Sequence, residues 1–151
     1  MEEILPHIYR IVLPLPRNPL KEINCYILTS DERNLIIDTG MNRPECQEVL
    51  DAGLKEIGID LEKTDIIATH LHADHQGLVF TLLKKGSKAY MGGHDAAPMK
   101  IGSTAHARKE PMGEYAALNG FPEEELREAQ KNHPGFKYGP QAVVDYINLE
   151  E

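Results

Sequence analysis

The sequence predicts an α/β fold, and three features support that prediction. Short apolar runs of strand length occupy residues 33–38 and 65–69, and each is bounded by Asn, Asp or Gly. Between them, residues 42–58 repeat apolar side chains at helical spacing. The second run is followed by a polar loop and then by a second helical pattern at residues 77–86. A strand end, a loop and a helix start in this order are typical of the sites of α/β proteins.

The elements can be assigned in order along the chain. We expect strands at residues 7–15, 24–30, 33–38, 65–69 and 88–92. Asn42 is the predicted N-cap of the first helix, with Pro44 in its first turn, Glu45 at the capping-box position and Gly58 at its end. The face that this helix is expected to bury comprises Cys46, Val49, Leu50, Gly53, Leu54 and Ile57. From about residue 94 the chain is predicted to be helical and polar.

The strongest functional signal is the stretch His70-Leu71-His72-Ala73-Asp74-His75. Alternate side chains of an extended segment project to the same side, so His70 and His72 can reach one ion while Leu71 turns into the core. Asp74 and His75 then open a helix, where neighbouring side chains fan apart and can face a second ion. Neutral imidazoles with one carboxylate suit zinc best and also tolerate iron or manganese. The alternative is a set of surface histidines with Asp74 as a helix cap.

Two stretches carry a resemblance to a known family. Thr69 to His75 resembles the HxHxDH signature of the metallo-β-lactamase superfamily of zinc hydrolases. Asn34 to Gly40, which ends in Asp-Thr-Gly, is similar to that family's strand ending in an Asp-x-Gly turn. Pro6 to Leu15 and Asn24 to Leu28 are similar to the first two strands of the same fold. The histidine motif is specific, whereas the flanking strands are only suggestive.

The resemblance implies a fold and a division of the chain. It implies half of an αβ/βα metallo-β-lactamase-type sandwich, with one mixed β-sheet and flanking helices, over residues 1–102. Residues 103–151 would then form a helical lid or carboxy-terminal extension, and residues 103–138 would cover the substrate cleft. Because the fold needs a second half of comparable size, we expect this chain to be an amino-terminal portion, with a naturally short protein as the alternative.

The resemblance also implies roles for individual residues. His70 and His72 would hold the first metal, Asp74 and His75 would belong to the second, and Asp38 would orient the ligand loop from behind. A His at position 72, where the diiron flavoprotein branch usually has Glu, favours the zinc hydrolase branch. Family members supply further ligands from their second half, including a bridging Asp and a last His.

The remaining histidines are not expected to complete that ligand set. His133 follows a solvated amphipathic helix and is expected at an exposed helix terminus. His94 is expected to cap a helix or to bond to other site residues. His106, in a polar loop, and His7, at the first strand, are expected to face solvent or to be structural.

The predicted activity is hydrolysis of an ester, thioester or lactone bond in a small-molecule substrate by metal-activated water, with Asp74 as the catalytic proton acceptor. Four ligands divided between two zinc ions leave each ion under-coordinated, so we expect the chain alone to be inactive. Two alternatives stay open. One is a homodimer in which a second copy takes the place of the missing half, and the other is a metal-binding or interaction module without catalysis.

Composition narrows the setting. The 151 residues include 24 acidic and 16 basic side chains, and the net charge of -8 argues against binding to nucleic acid or to an anionic membrane. No apolar stretch is long enough to span a bilayer, and Met1-Glu2-Glu3 lacks the basic start of a signal peptide, so the cytoplasm is the expected location. Cys25 and Cys46 are expected to be free, buried thiols.

Overall fold

A computed structural model of the chain describes residues 1–101 and 115–149, which are dominated by a single mixed sheet. Its strands follow one another across the sheet in chain order: β1 Glu2–Leu5, β2 Ile8–Pro14, β3 Glu22–Leu28, β4 Asn34–Ile37, β5 Thr64–Ile67, β6 Ala89–Gly92 and β7 Tyr146–Leu149. The pairs from β1 to β4 are antiparallel, and those from β4 to β7 are parallel. This mixed sheet with flanking helices confirms the predicted α/β class.

The helices connect the parallel strands. They are α1 Pro44–Ile57, α2 Ala73–Gln76, α3 Val79–Leu82, α4 Gly93–Ile101, α5 Glu123–Asn132 and α6 Pro134–Lys137, with a 3-10 turn at Leu61–Lys63. The buried face of α1 comprises Cys46, Leu50, Gly53 and Leu54, as the sequence predicts. At Gly53 the absence of a side chain lets α1 approach β2 closely, because a Cβ there would lie 2.5 Å from Ile11 Cδ1.

All five expected strands are present, with each bound within two residues of its expected position. Strands β1 and β7 were not expected. The division of the chain at residue 102 stays a prediction, because residues 102–114, which include the first third of the proposed lid, lie outside the described ranges. The last strand, β7, comes from the region that was assigned to the extension and pairs with β6 in parallel.

Two helix ends differ from the prediction. Arg43, not Asn42, is the N-cap of α1, because Asn42 is held elsewhere: its backbone N–H donates to Tyr138 O at 2.9 Å and its side chain to Gly139 O at 3.3 Å. The expected helix over 77–86 is reduced to α3. Leu83 takes an extended conformation with ψ 126°, so the chain leaves the helix early to reach β6. The left-handed Gly58 ends α1 as predicted, with φ 82°.

The two faces of the sheet differ in burial. One face, together with α1 and α3, forms the core, and its buried side chains include Ile11, Leu13, Cys25, Ile27, Ile36, Ile66, Met91 and Tyr146. A row of apolar side chains crosses the other face in register, comprising Tyr26, Ile37, Ile67, Tyr90 and Ile147. Most of this row is half-buried, and Ile147 is 44% exposed. Runs such as 35–37 and 66–67 are therefore apolar on both faces, as the sequence indicates.

Candidate metal centre

The candidate site lies where β4 and β5 end side by side. Ile37 pairs with Ile67 in parallel register, so the residues that follow each strand meet at one edge of the sheet. Asp38 comes next after β4 and has a φ of 60°, a left-handed conformation that Asp tolerates better than most residues. Its backbone N–H donates to Ile67 O at 2.9 Å. This turn directs the Asp38 carboxylate beneath the histidine loop.

Asp38 is 7% exposed and holds that loop through several hydrogen bonds. Thr69 donates to Asp38 Oδ1 from its backbone N–H at 2.8 Å, and its hydroxyl lies 2.9 Å from Oδ2. His75 Nδ1 lies 2.8 Å from Oδ2, and because a carboxylate only accepts, this nitrogen carries the proton. In the neutral form of the ring, the other nitrogen, Nε2, then carries no proton and can serve as a ligand atom.

The predicted ligands come together as two pairs. His70 Nε2 and His72 Nδ1 are 3.1 Å apart, and the ring centroids of His70 and His75 are 3.9 Å apart. The second pair lies in the first turn of α2, where His75 Nε2 is 3.7 Å from Asp74 Oδ2. In residues 1–101 and 115–149, no three His, Cys, Asp or Glu side chains are arranged to hold one ion together. The structure thus brings the four side chains to one place without forming a complete ligand sphere.

The spacing of the first pair can be compared with metal geometry. Two nitrogen ligands at about 2.0–2.1 Å from a tetrahedral zinc are separated by about 3.3 Å. His70 Nε2 and His72 Nδ1 form a hydrogen bond with each other at 3.1 Å, a separation close to that value, so an ion held by both nitrogens would replace this hydrogen bond. His72 is the N-cap residue of α2, yet its side chain makes no capping bond, and neither does Asp74 cap this helix. The donor set therefore fits a metal ion, and the four ligand assignments stay a prediction.

Electrostatics differ between two of the rings. Burial, followed by the charges of His75 and His72, lowers the pKa of His70, which keeps its ring neutral near pH 7. Burial also disfavours a charged His75, but the hydrogen bond and the charge of Asp38 outweigh it and raise the pKa of His75. Neutral imidazole is the form that binds metal, so the lowered pKa of His70 favours ligation, whereas the raised pKa of His75 makes ligation by this ring more sensitive to pH.

Residues outside the motif fix its backbone, and sequence reasoning missed them. His75 O accepts from the backbone N–H of Thr39 at 2.7 Å and from its hydroxyl at 3.1 Å. The same hydroxyl accepts from Leu78 N at 3.2 Å. Thr39 lies within the Asp-Thr-Gly turn, so that motif was the sequence feature from which its contact with the histidine loop could have been predicted. Gln76 and Tyr146 form a second contact to the loop, and no local pattern indicated it.

The other histidines lie away from this cluster. His7, His94 and His133 are exposed, as expected for His7 and His133. His133 is the N-cap of α6, and its Nδ1 accepts from Gly135 N at 3.1 Å. His94 lies in the first turn of α4, and His106 lies outside the described residues.

Both cysteines are free and buried, as predicted. Burial raises the pKa of Cys25 far above that of an ordinary thiol and also raises the pKa of Cys46. Among the helices that the structure describes, none has the length and hydropathy needed to cross a bilayer.

Comparisons with known proteins connect this geometry to a family. Among curated proteins, the atrochrysone carboxyl ACP thioesterase of Emericella nidulans is 39% identical over 84 residues, which cover 56% of this chain and 26% of the relative. A lactamase-like protein of Pestalotiopsis fici is 34% identical over 88 residues, which cover 56% of this chain and 26% of the relative.

Solved structures share the fold. A metallo-beta-lactamase family protein from Thermus thermophilus superposes with a TM-score of 0.72 and 24% identity, over 99% of this chain and 48% of that one. A beta-lactamase domain protein from Burkholderia ambifaria gives a TM-score of 0.63 and 20% identity, over 99% of this chain and 42% of that one.

The chain is shorter than these proteins. It spans about a quarter of the length of the curated relatives, where 26% of each is matched, and at most 48% of the two solved structures. The profile of the Metallo-beta-lactamase superfamily matches residues 19–140, which include β3 to β6 and the whole histidine motif. The chain therefore belongs to the metallo-beta-lactamase superfamily.

Proposed function

We propose that this chain carries the metal-binding half of a hydrolase that cleaves a thioester or a related ester or lactone bond in a small-molecule substrate. The observation that carries the proposal is the pair of imidazole nitrogens of His70 and His72, 3.1 Å apart above the buried Asp38. Relatives named as thioesterases, 31–39% identical over about half of the chain or more, support thioesters as the first substrates to test.

Zinc is the metal that the donor set favours, because neutral imidazole and carboxylate ligands suit it. His70 and His72 would hold one ion, and Asp74 and His75 a second. Bound zinc supplies a Lewis acid that makes hydrolytic water more acidic and polarises the carbonyl under attack. Members of the superfamily typically bind metal ions, and iron or manganese are the other metals to test.

The chain's own residues would do three things in this reaction. Asp38 fixes the His75 ring by accepting its Nδ1 proton, so that Nε2 points towards Asp74. His70 stays neutral because burial lowers its pKa. Asp74, 17% exposed, is reachable by solvent and accepts the proton that hydrolytic water releases.

A complete centre requires ligands beyond these four. A zinc ion takes four ligands, and the two pairs supply two to each ion. The remaining ligands would come from a further segment such as the longer relatives have, or from a second copy. We therefore propose that the chain alone turns over substrate poorly.

The test is metal retention by the purified chain, measured by dialysis against zinc and elemental analysis. We expect wild-type chain to bind zinc, His72→Ala to lose most of it, and His94→Ala to bind like wild type, because His94 is exposed and lies in α4. A wild-type chain that retains no zinc, or equal losses in the two variants, would contradict the proposal. Rapid hydrolysis of a small acyl thioester by the chain alone would contradict the proposal that two ligands per ion are too few for turnover.

A second candidate is a metal-binding or interaction module that keeps the fold without catalysis. It is favoured by the apolar row from Tyr26 to Ile147 on the open sheet face, which is a surface that a partner could cover. The separate alternative is a homodimer in which two copies of the chain complete the sandwich, each covering that row on the other. Sedimentation distinguishes the cases, because a strictly monomeric chain at micromolar concentration would eliminate the dimer.

A further inference from the structure

Gln76, at the end of α2, reaches back into the histidine loop. Its side chain is 2% exposed, and its Nε2 donates to Leu71 O at 2.6 Å. Leu71 lies between His70 and His72, so this carbonyl belongs to the peptide that joins Leu71 to His72. A carbonyl only accepts hydrogen bonds, so the contact fixes which end of the Gln76 amide faces the loop.

The amide oxygen of Gln76 faces the opposite way, towards β7. Tyr146 is 1% exposed, and its hydroxyl donates to Gln76 Oε1 at 3.0 Å. The two residues are 70 positions apart, and Tyr146 belongs to the strand farthest from β1 in the sheet. The chain of contacts therefore runs from the hydroxyl of Tyr146, through the amide of Gln76, to the peptide between the two first ligands.

We propose that Gln76 and Tyr146 are positioning residues of the metal loop. Rotation of the Leu71–His72 peptide moves the His72 ring relative to His70, and the Gln76 amide opposes that rotation by holding the peptide carbonyl. Tyr146 acts through Gln76, because its hydroxyl keeps the amide in the orientation that donates to the loop. The inference rests on the proposed function, since it assigns these residues to the metal ligands of that same site.

A merely structural role for this pair makes a different prediction. Removing one partner of a buried hydrogen bond leaves the other unsatisfied and destabilises a protein, whereas replacing both by apolar groups of similar shape can be nearly neutral. In the double variant both members of the Tyr146–Gln76 bond are removed, but Leu71 O still lacks its donor, so either role predicts some loss of stability. A merely structural role would lower the stability of the metal-free chain and leave the metal affinity of the folded chain unchanged, whereas a positioning role would lower that affinity as well.

The experiment uses the whole chain with Co²⁺ and Zn²⁺ as probes. We would compare wild type, Tyr146→Phe, Gln76→Met and the double variant, with Tyr26→Phe as the control because Tyr26 lies on the opposite face of the sheet. Metal affinity is measured by Co²⁺ absorption and Zn²⁺ competition, and urea unfolding of the metal-free chain gives stability separately. Tyr146→Phe keeps the test possible if Gln76→Met does not fold.

We expect Tyr146→Phe and the double variant to bind metal about 10- to 100-fold more weakly than wild type, the usual range for residues that orient ligands. The Co²⁺ spectrum should change with them, while Tyr26→Phe behaves as wild type. The inference is overturned if both variants, when folded, bind metal with wild-type affinity, whatever the loss of stability in urea. If wild type itself binds neither metal, the proposed function fails, and this inference fails with it.

Discussion

Replacing Gly77 with alanine should destabilise the chain, although its backbone conformation alone argues the opposite. Gly77 is the C-cap of α2 with φ -57° and ψ -38°, ordinary right-handed values that alanine adopts easily, and a glycine-to-alanine change at such a position gains about 0.4–1 kcal/mol by restricting the unfolded chain. However, the structure has no room for the Cβ atom that alanine would add. A Cβ at this position would lie 2.6 Å from Ala73 O and 2.7 Å from Gly40 O, and it would be closer still to Asn42 N.

The size of the effect follows from the identity of these neighbours. All three are backbone atoms, so the contact cannot be relieved by rotating a side chain, and α2 has to separate from the 40–42 turn. Overpacking of this kind costs about 1–3 kcal/mol, and the upper end applies where backbone must move. With the gain from the unfolded chain subtracted, we expect the free energy of unfolding to fall by about 2 kcal/mol.

Urea unfolding of the metal-free chain measures this change, and two other glycines serve as controls. A Cβ at Gly92 meets no atom within 4 Å, so Gly92→Ala should change stability by less than about 0.5 kcal/mol. Gly53→Ala should lie between the two, because its Cβ would meet the end of the Ile11 side chain, 2.5 Å away. A Gly77→Ala chain as stable as wild type would refute the steric explanation.

Three further predictions concern charges and a thiol. Asp38→Asn tolerates the left-handed backbone but removes the charge beside His75, so the pKa of His75 in metal-free protein should fall below its wild-type value, as followed by NMR titration. Burial alone would raise the pKa of Asp65, but the hydrogen bonds from Arg33 and from a backbone amide lower it overall. The stability that the Arg33–Asp65 pair contributes is therefore complete above the ordinary Asp pKa of about 3.9, and it is lost as the pH falls through the lower pKa of the folded state. In Asp65→Asn, the free energy of unfolding, measured in urea at a series of pH values, should therefore fall less steeply on the acid side. Burial raises the pKa of Cys25, so its thiol should resist a disulfide reagent in native buffer and react at once in urea; fast native labelling would contradict its burial.

The histidine motif was predictable because its information is local. An apolar strand, a polar loop and a helix start are consecutive in sequence, and the observed β5 and α2 lie on either side of His70 and His72. Asp38 was predictable for the same reason, through its Asp-Thr-Gly turn. The contacts between these two segments follow once β4 and β5 pair in parallel, because their carboxyl ends then share one edge.

What sequence reasoning missed depends on distant partners. Strand β1 is exposed along its whole length, so it has no alternation of buried and exposed residues to reveal it. The N-cap of α1 moved to Arg43 because Asn42 bonds to Gly139, 97 residues further along the chain. Tyr146 sits in a four-residue strand in which it alone is buried, and its hydrogen-bond partner lies 70 positions earlier. A local sequence pattern cannot predict contacts between residues that are 70 or 97 positions apart.

The order of the strands has a consequence for biosynthesis. Because each strand pairs beside the one made just before it, the sheet can grow as the nascent chain leaves the ribosome, with short loops closing first. The Gln76 contact is an exception, because it waits for a tyrosine 70 residues later. At about 5–20 residues per second, the 70 residues from Gln76 to Tyr146 take about 4–14 s to translate. Metal that arrives during this interval meets a loop that β7 does not yet hold.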